Sequence, residues 1–114
     1  KVTYETSKDS LLLGLPARYL LDLNRYDPIA YAKALDVPML IINSGHDYQV
    51  TKTEYDLWVK GLSGRRKAST RFFPNLNHLL VYSPEMSTPL SYEKDGTVDE
   101  SVILSIIDWI RKTK

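Results

Sequence analysis

The sequence predicts an α/β fold with parallel strands flanked by helices, in the order helix, strand, helix, strand, helix. Residues 39–42 form a continuous apolar run that is too short for a helix and ends at Asn43. Such a run is typical of a parallel strand covered on both faces. Residues 70–73 form a second β-prone run, which ends at Pro74. Because the stretches around these runs repeat apolar residues at helical spacing, we expect helix and strand to alternate.

Two helices are predicted ahead of the first strand. Residues 14–24 carry apolar residues at helical spacing, and Pro16 lies near the first turn, where its missing N–H costs little. Asp27 followed by Pro28 is typical of an N-cap and a first helical residue, which predicts a second helix to about residue 35.

Two more helices follow the strands, each with a predicted capping box. Thr51 and Glu54 have the spacing at which the two side chains satisfy each other's free backbone N–H groups, and so do Thr97 and Glu100. The predicted apolar faces of the two helices are Tyr55, Trp58, Val59 and Leu62, and Ile103, Ile106, Ile107 and Ile110. Residues 81–97 are predicted to be a long loop.

Composition limits the classes of function. The 114 residues suffice for one domain, and a net charge of +1 gives no electrostatic reason to expect a nucleic acid or an anionic membrane as partner. Because cysteine is absent, the chain has neither disulfides nor a thiolate metal site. The apolar runs are far shorter than a membrane span, so we expect no membrane partner. We also expect no cofactor.

Asp47 and His78 are the predicted site residues. Each follows the carboxyl end of a predicted strand, and open parallel sheets carry their functional groups at that edge. A carboxylate beside a histidine suits acid and base chemistry, because it fixes the imidazole tautomer and stabilises the charged ring. His46 is an alternative base, although we favour it as an exposed loop residue. A metal site formed by His46, Asp47 and His78 is a further alternative, but it has few ligands.

Several segments resemble the C-terminal part of an α/β-hydrolase. Residues 38–50, with Gly45, Asp47 and Val50, resemble the strand and acid loop of that family, and residues 73–80, with Asn77 and His78, resemble its histidine loop. The segments Leu-Pro-Ala-Arg-Tyr-Leu-Leu-Asp-Leu at 15–23 and Tyr-Asp-Pro at 26–28 are similar to the approach to that strand in the dienelactone-hydrolase-like branch. The resemblance covers roughly residues 14–112.

This resemblance implies a serine esterase of which the chain is one part. Residues 1–114 would be a C-terminal segment with a partial hydrolase sheet: approach helices in 1–36, and the acid strand, histidine loop and final helix in 37–114. Asp47 would be the triad acid and His78 the general base for a small-molecule ester. The family's G-x-S-x-G elbow is missing, because neither Ser44 nor Ser63 has both glycines, so we expect the chain alone to be inactive. Four tyrosines are candidates for the acyl or leaving-group pocket, although a tyrosine on a loop or an amphipathic helix is more often a packing residue: Tyr19, Tyr48, Tyr82 and Tyr92.

A non-enzymatic function is the alternative. Two strands make a small sheet, and the apolar strand at 39–42 expects a neighbour on each side. An uncovered edge of this kind pairs readily with another chain. The sequence is therefore also compatible with a small α/β module that binds a partner or forms a homo-oligomer through its sheet edge.

Overall fold

The structure, a computed structural model, describes residues 11–12 and 14–113. Its contacts divide the chain into two compact units, Lys1–Ala34 and Leu35–Lys114. The described elements of the first unit are the short strands β1 (Leu11–Leu12) and β2 (Leu15–Pro16) and the helices α1 (Ala17–Leu23) and α2 (Pro28–Ala34). Those of the second unit are β3 (Met39–Ser44), α3 (Lys52–Gly61), β4 (Ala68–Phe73), a 3-10 helix (Pro89–Glu93) and α4 (Glu100–Lys112).

In the first unit, α2 forms as predicted and α1 begins later than predicted. The Asp27 carboxylate accepts a hydrogen bond from the backbone N–H of Ala30 at 2.9 Å, as an N-cap does. Pro16 lies ahead of α1 with extended backbone angles, because β2 pairs with β1 in an antiparallel arrangement. The predicted helix start at residues 14–16 is therefore wrong by about one turn.

The second unit is built on a parallel pair of strands flanked by helices. β3 and β4 run in register from Met39 opposite Ala68 to Ser44 opposite Phe73. β3 therefore continues through Asn43 and Ser44, where the sequence predicted its end. The polar side chains do not stop the strand, because their backbone groups still pair with β4 and both residues are buried.

The helix α3 packs on this sheet as predicted. Thr51 is its N-cap, and its hydroxyl donates to the Glu54 carboxylate. The Thr51 side chain accepts from the N–H of Thr53 at 3.3 Å and not from that of Glu54, so the predicted reciprocal capping box does not form. The ring of Tyr55 lies 5.2 Å from that of Phe72 in β4, measured between centroids. On the predicted apolar face, Tyr55 and Trp58 are half-buried, Leu62 is buried and Val59 is exposed.

The final helix differs from the prediction in its cap and in its buried face. Asp99 is the N-cap, and its carboxylate accepts from the N–H of Ser101 at 2.9 Å, so the predicted capping box of Thr97 and Glu100 does not form. Val98 is already paired with Val81 in an isolated bridge, which places the helix start after it. Val102 is buried, whereas three residues of the predicted face are 38–47% exposed: Ile103, Ile107 and Ile110.

The buried polar side chains of the second unit gather at one end of the sheet. They belong to the end of β3 and to the two segments that follow the strands: Asn43, Ser44, Asp47, Asn77, Ser83 and Ser87. Burying a polar group is costly unless it is hydrogen-bonded, so such a cluster requires an ordered network. The buried polar side chains of the unit therefore lie at the carboxyl ends of the strands.

Candidate active site

The two loops that leave the strands lie directly against each other. The N–H of Gly45 donates to the carbonyl of Phe73 at 2.8 Å, and the N–H of His46 donates to the carbonyl of Leu76 at 2.9 Å. A Cβ on Gly45 would lie 2.8 Å from the Cα of Pro74, so only glycine fits this approach. The parallel pairing is thus continued by the loops, which brings the acid loop and the histidine loop together.

Asp47 is held rigidly in its loop. Its side chain is 5% exposed, and its Oδ1 accepts from the backbone N–H groups of Gln49 at 2.8 Å and Val50 at 3.0 Å. Burial by itself raises the pKa of Asp47, but the two backbone N–H groups and the ring of His78 together hold that pKa below its ordinary value. Asp47 is therefore a carboxylate at neutral pH.

The predicted pair forms in the structure. Nδ1 of His78 lies 2.8 Å from Oδ2 of Asp47. Because a carboxylate can only accept, Nδ1 carries the proton, and in the neutral ring Nε2 keeps its lone pair. The His78 side chain is 39% exposed, so the ring is accessible although its partner is buried. The arrangement can take up a proton at Nε2 and stabilise the resulting imidazolium.

His46 does not compete for this role. It is half-buried, and its Nδ1 lies 2.7 Å from the carbonyl oxygen of Ser83, to which it donates. The carbonyl of His46 accepts from the N–H and the hydroxyl of Ser87 at 2.9 and 2.6 Å. The expectation of an exposed loop residue is wrong, because His46 ties the acid loop to the segment after the histidine loop. Among the described residues, no cluster of three or more metal-ligating side chains occurs.

A cavity of about 200 Å³ adjoins the pair. Asp47 and His78 line it together with Asn43, Ser44, Ile42, Val50 and Leu80, and most of the wall is apolar. None of the four tyrosines considered for a pocket lines this cavity. Tyr48 and Tyr92 instead stack on each other with centroids 5.7 Å apart, Tyr82 is 64% exposed, and Tyr19 belongs to the first unit.

Asn43 is a supporting residue that the sequence analysis missed. Its Nδ2 donates to the carbonyls of Ser44 at 2.9 Å and Val50 at 3.2 Å, which joins the end of β3 to the far end of the acid loop. The sequence signal for this supporting role is the position of the asparagine, which directly follows an apolar strand and lies shortly before a candidate acid. By its position alone, this asparagine indicates only the end of a strand.

In the part of the chain that the structure describes, no helix is long and apolar enough to cross a membrane.

No solved structure gives a significant match to this chain. Among curated proteins it is 44% identical over 108 residues to a Thermotoga maritima protein named Esterase EstD. This alignment covers 95% of the chain but 26% of the relative, so the chain spans about a quarter of that protein's length. The family model described as PhoPQ-activated pathogenicity-related protein matches residues 14–97, which is most of the chain. The chain therefore belongs to the family of PhoPQ-activated pathogenicity-related proteins.

Proposed function

We propose that this chain supplies the acid and the general base of a serine-dependent hydrolase of carboxylic esters, as part of a longer protein. The observation that carries the proposal is the 2.8 Å hydrogen bond between the buried Asp47 carboxylate and the accessible His78 ring. The relative named Esterase EstD supports esters as the substrate class. The mainly apolar cavity beside the pair suits the acyl or alcohol part of a small ester.

In this proposal each atom of the pair has one role. Nε2 of His78 removes the proton from a serine hydroxyl as the hydroxyl attacks the ester carbonyl. Oδ2 of Asp47 holds the ring in the required tautomer and stabilises the imidazolium that forms. The imidazolium then protonates the departing alcohol, which leaves an acyl-enzyme. Water hydrolyses the acyl-enzyme with His78 again acting as the base.

The nucleophile belongs, in our proposal, to the part of the longer protein outside these 114 residues. No G-x-S-x-G sequence occurs in the chain. The relative is about four times longer than its aligned part, which leaves ample sequence for a nucleophile elbow and an oxyanion hole. We further propose that the chain is the C-terminal segment of an α/β-hydrolase domain of the dienelactone-hydrolase-like branch, with approach helices in 1–36 and the acid strand, histidine loop and final helix in 37–114.

The test is turnover of a p-nitrophenyl acyl ester beside labelling with a fluorophosphonate, which reacts with activated serines. We expect neither turnover nor labelling with the 114-residue chain, and both with a longer protein that carries it. Labelling of the 114-residue chain would place an activated serine within it and contradict the proposal. A longer protein without turnover or labelling would also contradict it.

A second candidate function is self-association through the edge of β3. Among the described strands, β3 pairs only with β4, and its other edge has no partner strand. An apolar strand with a free edge is suited to pairing with another strand. Sedimentation over a range of concentrations tests this: a dimer is expected if the edge pairs two copies, and a monomer at high concentration would contradict it.

A further inference from the structure

The histidine loop is closed by the side chain of the residue before His78. Oδ1 of Asn77 accepts hydrogen bonds from the backbone N–H groups of Leu79 at 2.9 Å and Val81 at 3.2 Å. Its backbone N–H donates to the carbonyl of Val81 at 2.9 Å, and its own carbonyl accepts from Leu80 at 2.9 Å. Asn77 is buried, with 5% exposure. One residue therefore bonds to every residue from 79 to 81 and encloses His78 in a tight turn.

The Asn77 carboxamide adds hydrogen bonds to those that the backbone makes in this turn. The backbone carbonyl of Asn77 accepts from the N–H of Leu80, whereas Oδ1 accepts from the N–H of Val81. Leu80 has a φ of 59°, a left-handed conformation that a branched, bulky residue adopts only when its surroundings enforce it. The turn that presents His78 thus contains an unfavourable backbone conformation at Leu80, and the Asn77 carboxamide bonds to the residues on both sides of it.

We propose that Asn77 is the positioning residue of His78: it fixes the backbone from which the ring extends, so that Nδ1 meets Oδ2 of Asp47. Among the described side chains, only that of Asn77 bonds to the backbone of residues 78–81. The His78 ring itself is held by the hydrogen bond from its Nδ1 to Oδ2 of Asp47. The effect of Asn77 on catalysis rests on the proposed function, whereas its effect on the position of the His78 ring does not.

The geometric test measures the tautomer of the neutral His78 ring in the 114-residue chain by ¹⁵N NMR at pH 8. The bond to Asp47 predicts the Nδ1–H form, while a free imidazole in water favours Nε2–H. Asn77→Ala should lower the ratio of Nδ1–H to Nε2–H about tenfold, because loss of the Asn77 anchor costs on the order of one hydrogen bond. Asn77→Asp keeps the acceptor and should retain the wild-type ratio.

Asn75→Ala is the matched control. Asn75 lies in the same loop, is exposed, and its carboxamide bonds to no described residue, so this variant should also retain the ratio. If Asn77→Ala fails to fold, Asn77→Ser replaces it, because a hydroxyl can accept only weakly in this turn and a partial fall in the ratio is expected. An unchanged ratio in the folded Asn77→Ala or Asn77→Ser variant would overturn the proposal, and so would an equal fall in Asn75→Ala.

The kinetic test uses the longer protein and a p-nitrophenyl ester. Asn77→Ala should lower kcat on the order of 10²-fold with little change in KM, since a misplaced base affects the chemical step. Asn77→Asp should recover most of kcat at pH 8. A loss confined to KM would contradict a positioning role. If the tautomer ratio falls as expected but the longer wild-type protein has no esterase activity, the proposed function fails and the positioning of His78 by Asn77 stands.

Discussion

Replacing Asp47 by asparagine should invert the proton pattern of His78 while the loop keeps its shape. Oδ1 of Asp47 accepts from two backbone N–H groups, at 2.8 and 3.0 Å, and a carboxamide oxygen can accept the same two bonds. The amide nitrogen of the variant then replaces Oδ2 and faces Nδ1 of His78. Because that nitrogen only donates, Nδ1 must become the acceptor, and the proton moves to Nε2.

The size of the effect follows from this inversion. With Nε2 protonated, the ring cannot accept the serine proton, and a wrong tautomer of this kind costs about 10⁴-fold in kcat. Each factor of ten corresponds to about 1.4 kcal/mol, so the barrier rises by roughly 5.5 kcal/mol. The cost in stability is much smaller, because a hydrogen bond to a charged group contributes about 1.5–3 kcal/mol and the His78 side chain is 39% exposed. We expect a loss near 1 kcal/mol after screening by solvent.

Two assays separate these effects. In the longer protein, Asp47→Asn should reduce turnover of a p-nitrophenyl ester about 10⁴-fold. In the 114-residue chain, ¹⁵N NMR should show the His78 ring changing from Nδ1–H to Nε2–H, with other backbone shifts preserved. Turnover within tenfold of wild type would refute the assigned role of Asp47. A ring that stays protonated at Nδ1 would refute the geometric reasoning.

Two further predictions concern stability. Gly45→Ala should destabilise the chain by about 1–3 kcal/mol in urea unfolding, because the new methyl group would meet the backbone of Pro74, which cannot move away by a rotamer change. Stability should also decrease with acid. Asp47 has a lowered pKa in the folded state, so its stabilising contribution is complete above about pH 4, the ordinary pKa of aspartate, and is lost as the pH falls through the folded value.

Each of these predictions has a matched control. Gly64 has open space around it but a φ of 78°, so Gly64→Ala measures left-handed strain without crowding. If Gly45→Ala costs no more than about 0.5 kcal/mol, the close approach of the two loops is not as tight as described. For acid unfolding, Asp47→Asn removes one of the titrating groups and should make the decrease below pH 4 shallower, while Asp36, Glu54 and Asp99, whose pKa values are also lowered, still contribute to it. An identical pH profile in that variant would contradict the assignment.

The pairing of Asp47 with His78 could be predicted because it depends only on strand order. An apolar run and a β-prone run, each followed by turn residues, place their next polar residues at the same edge when the strands are parallel. Register then brings Ser44 opposite Phe73, and the loops continue side by side. The distance of 2.8 Å depends on the fit of Gly45 against Pro74, which no periodicity reveals.

The orientation of α4 could not be predicted, because its sequence offers more than one apolar face. Its sequence is apolar at almost every position from 102 to 110, so two overlapping stripes both have helical spacing. The structure buries Val102 and exposes Ile103, and tertiary packing decides between them. Its cap was ambiguous in the same way, since both Thr97 and Asp99 are good N-cap residues.

The role of His46 could not be predicted from the sequence, because it depends on contacts with residues far along the chain. Its ring bonds to the carbonyl of Ser83, 37 positions away along the chain, and its own carbonyl receives two bonds from Ser87. These partners are backbone groups, or a serine with no distinguishing pattern in the sequence. Local sequence therefore shows a histidine beside an acid, and only the folded loops distinguish a structural ring from a candidate base.

The measurement that tests the central claim most directly compares the only two histidines of the chain in the longer protein. His78→Ala should lower kcat for a p-nitrophenyl ester by about 10⁴–10⁶-fold, as expected for loss of the general base. His46→Ala removes only the hydrogen bond to Ser83 and should leave kcat within about tenfold of wild type once the variant is shown to be folded. A small effect of His78→Ala, or a loss in His46→Ala as large as that in His78→Ala, would contradict the account.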